Sequence, residues 1–114
     1  MIMKTFKNFE EIKPYYNEKT NTYEFIENGN LIDIVIDFEL DINSNIRAGD
    51  IQAKYIIARD ISAENINANN ILYYSVCYAS SNFVCNSIKG TRPNSKHFCL
   101  DSEIVIKGDK KNVK

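Results

Sequence analysis

The chain is poor in the residues and patterns on which several function classes depend. It has one histidine, His97, so a catalytic imidazole would need a nucleophile or carboxylate brought to that single position. Its three cysteines, Cys77, Cys85 and Cys99, are an odd number with no CxxC spacing. That disfavours a disulfide framework, and reduced thiols in a cytoplasmic protein are the simplest reading. With His97 they match no zinc pattern, so neither a metal nor another cofactor is expected. No segment approaches the roughly 20 apolar residues of a membrane span, and Met1 to Lys7 lack the apolar run of a signal peptide, so no membrane partner is expected. The formal net charge of −1 selects neither for nor against a polyanionic partner. A length of 114 residues suits one domain with a modest core.

What the chain does have is a period. From Ile46 to Tyr78 an aliphatic residue recurs every five positions, at Ile46, Ile51, Ile56, Ile61, Ile66, Ile71 and Val76. Two places after each comes a small residue, Ala48, Ala53, Ala58, Ala63 and Ala68, and then Tyr73 and Tyr78 in the alanine's place. A fixed internal period marks a repeat architecture. On an α-helix a step of five turns about 500°, so no apolar face forms. On a straight strand an odd step alternates faces. Both series stay inside if each pentad is a short extended piece followed by a corner. Four corners close a square coil of about twenty residues, which stacks Ile46 under Ile66 and Ile51 under Ile71 in a parallel β-solenoid. The alternative is a set of short strands in an irregular sandwich, with the repeat a product of sequence duplication. Tyr73 and Tyr78 are expected to plug the lumen as a hydrophobic cap.

The pentads from Ile46 to Gly90 resemble those of pentapeptide-repeat proteins, which form right-handed square β-helices. The two-residue spacing of small and large positions matches, and the order is inverted, as Ile51-Gln52-Ala53 shows. The resemblance implies a compact scaffold without a site. Such scaffolds often belong to viral or mobile-element proteins that block host machinery, and some act as DNA mimics. Left-handed β-helix acyltransferases are similar only as solenoids, having a six-residue period and a catalytic histidine between coils.

The remaining chain frames the repeat. Within residues 1–22, Asn8 and Glu11 signal a short helix with Phe9 and Ile12 on one side, which Pro14 ends. This segment is expected to cap the solenoid. In residues 23–45 the period is two, and Asn28-Gly29 predicts a type I′ hairpin that pairs Phe25 with Ile32 and Tyr23 with Ile34. Ile32, Ile34, Ile36, Phe38, Leu40 and Ile42 then face inward, with Asp33, Asp37, Glu39 and Asp41 opposite. After the solenoid of residues 46–90, two last strands near Phe98 and Ile104 follow a loop within residues 91–106. Residues 107–114 read as a disordered tail. The fold class is thus mainly β: a short helix or turn, a hairpin, and a square solenoid of two to three coils.

Candidate chemistry is thin. His97 and Cys99 share a face on a strand, but no family signature surrounds them, and a surface loop histidine beside a small core cysteine is the simpler reading. Asp37, Glu39 and Asp41 on one face lie about 6.6–6.8 Å apart, a sparse imitation of a duplex with a charge every ~1.7 Å. Residues 1–45 carry nine acidic and four basic side chains, and residues 46–114 carry six acidic and ten basic. The candidate partner-binding residues are therefore Asp33, Asp37, Glu39 and Asp41 on the acidic side, and Lys89, Arg92 and Lys96 on the basic side. The basic end lacks the interleaved aromatics of single-strand binding sites, so nucleic acid ranks behind protein as a partner. The expected function is a non-catalytic protein-binding module. A nucleic-acid mimic or binder is the alternative, and an enzyme with a Cys/His site comes third. One end of the solenoid is expected to be closed by a second copy in a two-fold dimer.

The pentad assignment makes a direct prediction. Ile61→Asp places an unpaired charge in the ladder, at a cost of several kcal/mol against a total of about 5–15. Ser62→Asp, between two inward positions, should leave the urea midpoint nearly unchanged. Equal losses in the two variants would contradict the assignment.

Overall fold

A computed structural model describes residues 3–108 of the chain. Three parallel sides, each built of stacked extended segments, wind around one core. The first side begins with β1 (Met3–Phe6) beside β6 (Asp33–Ile36), which lies in turn beside Ile51–Ala53 of β9 (Asp50–Gly90). At its far end β11 (Val105–Ile106) lies against Val84 and Cys85. The second side starts with β7 (Leu40–Asp41) on Ile56 and Ile57. The third stacks β3 (Thr22–Glu24), β8 (Asn45–Arg47) and Ile61–Ser62, and ends with β10 (Lys96–Cys99) on Val76–Ala79. β2 (Tyr16–Asn17) runs antiparallel to β3 and edges this side. The result is a β-solenoid of about four turns, more than the two to three expected.

Partners lie about twenty residues apart on average, but the regular part is tighter. Ile46 sits beside Ile61, three pentads on, where a square coil would have set it under Ile66. Asp50 likewise reaches Asn65, which aligns Ile51 with Ile66 and not with Ile71. Three sides suffice because each brings one isoleucine and one alanine inward. Ile51, Ile56 and Ile61 are at most 2% exposed, and a fourth side would open a gap that no alanine fills.

The fifth residues of most pentads, Tyr55 excepted, explain the corners. Asp33 Oδ1 accepts the Asp50 N–H at 2.8 Å, Asp50 Oδ1 accepts Asn65 Nδ2 at 2.8 Å, and Asn65 Oδ1 accepts Asn82 Nδ2 at 2.9 Å. A second column runs from Asn45 Oδ1 to the Asp60 N–H, and from Asp60 Oδ1 to the Val76 N–H. Asn70 and Ser87 form a third link. Short polar side chains thus tie the corners to one another, which fits the preference of Asp, Asn and Ser for turns. Gly49 is required at one corner, because a Cβ there would collide with Asp33 Oδ1.

The register changes earlier than the period implies. Tyr73 is buried as expected, and Gly90 in the next coil leaves room for it, since a Cβ on Gly90 would meet the Tyr73 ring. One extra residue then intervenes, so Cys77 and Ala79 turn inward in place of Val76 and Tyr78. Next to the layer that holds the Tyr73 ring, the following side thus turns only small residues inward. Tyr78 lies partly exposed and stacks on Phe98, with centroids 5.3 Å apart and planes 7° apart. It is not part of the plug.

The N-terminal cap forms much as its residues dictate. Asn8 caps α1 (Phe9–Ile12) by accepting the Glu11 N–H, and Pro14 lies in a 3₁₀ turn, Lys13–Tyr15, that ends it. Phe6, Ile12 and Phe25 are at most 2% exposed and close the end of the core, with Tyr15 edge-on to Phe6. Phe9 and Tyr16 remain exposed over Tyr23. The hairpin is present between β4 (Ile26–Glu27) and β5 (Asn30–Leu31), with positive φ at Asn28 and Gly29. It is shorter than expected: Ile32 bonds back to Phe25, but Tyr23 pairs with Ile46 because the solenoid claims that strand. The expected tail lies outside the described residues from 109 onward. Lys107 and Gly108 are described and lie in a 3₁₀ turn, with Gly108 close against the Asn86 carbonyl.

Removing one rung should reveal the strength of the corner columns. Asn65→Ala deletes its links to both Asp50 and Asn82 and should cost about 1–3 kcal/mol in urea denaturation. Asn67→Ala, on the outer face, should cost under about 0.5 kcal/mol.

Candidate functional site

The residues singled out for chemistry fall in different parts of the solenoid. His97 is on β10, not in a loop, and sits in the last coil above Cys77. Its Nδ1 and the Tyr73 hydroxyl share a hydrogen bond of 2.7 Å, and the two rings meet edge to face. Burial pushes the imidazole pKa below its usual value and the Tyr73 phenol above its own. Cys77 is fully buried, and burial raises its thiol far above the range in which a thiolate forms. Cys85 is buried as well, and Cys99 contacts the Ser102 hydroxyl at 3.4 Å. His97 therefore pairs with the Tyr73 hydroxyl and stacks beside the protonated Cys77 thiol in the coil below. Among the described residues no cluster of three or more His, Cys, Asp or Glu is arranged to hold a metal.

The acidic row is divided by the fold. The strand breaks between Ile36 and Leu40, so Asp37 and Glu39 fall at a corner between sides and the straight ladder is lost. Asp33 is 9% exposed and serves the Asp50 N–H. Asp37 is paired with Lys7 at 3.1 Å, while Glu39 and Asp41 are exposed. The acidic end has further pairing: Glu27 accepts from Tyr15 and from Lys4, and these bonds hold its carboxyl below the usual range.

The basic residues gather differently. Arg59 and Arg92 come from different coils, and both guanidinium carbons lie over the Tyr74 ring, 4.3 and 5.1 Å from its centroid. Arg92 Nη1 donates to Ser75 Oγ at 2.7 Å, and Arg59 Nη1 to Asn43 Oδ1 at 3.4 Å. Lys89 and Lys96 are exposed on the same last coil as Arg92. Tyr74 and Arg59 were missed in the sequence. Their only signal was that each lies one position before a pentad's last residue, Asp60 or Ser75, and so at the same corner.

Across the third side from this corner is a groove lined by Leu31, Arg47, Ser62, Glu64, Tyr78 and Leu100. Leu31 is 42% and Leu100 63% exposed, and neither reaches the core. No helix among the described residues is long and apolar enough to cross a membrane. Compared with protein-family models, curated proteins and solved structures, the chain matches none.

The lowered imidazole pKa of His97 has a consequence for stability. Below about pH 6.5 the unfolded chain binds a proton that the folded chain resists, so stability falls with pH in that window and levels off beneath the folded value. Urea midpoints taken between about pH 7 and about pH 5 should show this step in the wild type and lack it in His97→Gln. A step of opposite sign would contradict the burial argument.

Proposed function

We propose that the chain is a non-catalytic binding module that presents one rigid side to a partner protein. The observation that carries this reading is the groove on the third side, where exposed Leu31 and Leu100 and partly exposed Tyr78 line it together with Arg47 and Glu64. Apolar and aromatic groups clustered among charged ones are the usual composition of a protein-binding patch. The scaffold holds the groove without an entropic cost on binding, because its floor is hydrogen-bonded sheet. Inhibition of a larger assembly is the form of activity that suits a small module with no reaction of its own. The five-residue period supports a kinship in type with pentapeptide-repeat proteins, from which the three-pentad coil departs.

A second copy is a protein partner for which one observation speaks. β10 and β11 pair on one edge only among the described residues, Phe98 and Val105 are 37% and 50% exposed, and Ile104 and Ile106 are only partly buried. A two-fold contact there would cover them.

Both readings are tested with immobilised chain and by sedimentation. Leu100→Asp should abolish capture of a partner that the wild type retains from its source cells, with the thermal midpoint unchanged. Capture that survives this change would remove the groove from consideration. A sedimenting mass of 13.1 kDa at micromolar concentration would refute the dimer, and twice that mass, lost in Phe98→Lys, would support it.

A further inference from the structure

The corner between the second and third sides carries an arrangement that the groove does not explain. Arg59, Tyr74 and Arg92 belong to three successive coils, so the two guanidiniums flank one ring along the solenoid axis. The ion pairs of the described residues are Lys4–Glu27, Lys7–Asp37 and Lys13–Glu10, all at the opposite end. Among the described residues neither arginine has a carboxylate partner. The acidic group next in sequence, Asp60, turns one oxygen to the Val76 N–H. Each guanidinium spends one donor on a neutral oxygen, and an arginine has five. Cation–π contact holds both cations in place, so less freedom is lost when they meet an anion.

We infer that this corner binds the phosphodiester backbone of nucleic acid. Three features select that ligand. The cations lie along a row and do not converge on one point, which suits a linear polyanion. Neighbouring strands are about 4.8 Å apart, so guanidiniums two coils apart are separated by roughly 9–10 Å. A nucleic-acid strand carries a charge at every residue, so a row of cations meets phosphates wherever it lies along the backbone. An extended acidic peptide offers a carboxylate only where Asp or Glu falls on the facing side. Two guanidiniums already lie over the Tyr74 ring, so the contact offered is with the backbone and not with a stacked base. Lys89 and Lys96 widen the row on the last coil. The aromatic that the linear sequence lacked among its basic residues is supplied by coiling, and it orients the cations.

Fluorescence anisotropy with labelled oligothymidylate and with a duplex, each of roughly 20 nucleotides per strand, tests this from about 50 mM salt upward. The wild type should bind. Arg59→Gln with Arg92→Gln should weaken binding at least about tenfold and flatten the salt slope by about 1.4 on the single strand or about 1.8 on the duplex. Which probe binds more tightly identifies the source of the backbone. Arg59→Lys with Arg92→Lys should keep most of the slope. If the glutamine pair melts early, Arg92→Gln alone is read, with about half the loss of slope. Absence of wild-type binding overturns the inference, as does a slope unchanged in the glutamine variants. Competition by polyglutamate as effective as that by unlabelled oligonucleotide also overturns it, and assigns the corner to an acidic protein.

Discussion

Every coil of this molecule depends on the coils above and below it for its backbone hydrogen bonds. A parallel side has no partner within its own turn, so turns must be equal in length wherever they are to stay in register. That single requirement accounts for the five-residue step and for the short polar residue that ends most pentads. It also accounts for Gly49, which lets one corner approach the next closely enough for Asp33 to reach across. Where an extra residue enters, before Cys77, the turns lengthen and side chains exchange their inner and outer roles.

The inner architecture was legible because large and small residues alternate on a period that no helix or flat strand accommodates. Ile34, Ile36, Ile46, Ile51, Ile56 and Ile61 are all buried, as that logic demands. The number of sides was not legible. Three pentads and four pentads bury the same residues, and they differ only in which isoleucine lies over which. The fifth residues carried that information in their polarity, since Asp50 and Asn65 are linked at a distance of three pentads. The acidic strand misled for a related reason. Its alternation predicts a continuous ladder, but a coil needs a corner between Ile36 and Leu40, and closure of the coil overrides local pattern.

The proposed binding surfaces were hidden for the same reason. Arg59, Tyr74 and Arg92 are 15 and 18 residues apart in sequence, separations with no meaning until the length of a turn is known. The basic side chains Lys89, Arg92 and Lys96 were recognisable as a group, but not the tyrosine between the arginines. The groove likewise joins Leu31, Ser62 and Leu100, which no local pattern connects. In both places the chemistry arises from stacking and not from motif.

The column from Asp33 through Asp50 and Asn65 to Asn82 also bears on how such a chain can change over time. Each rung needs only a donor or acceptor of the right reach from the rung before. A duplication of fifteen residues inside the regular part therefore brings its own rung, its own three isoleucines and its own three outward rows. Loss or gain of any other number leaves a corner without its neighbour. The molecule can be lengthened in whole turns, like a stack of identical trays, and each added turn extends the outer rows without altering those already present.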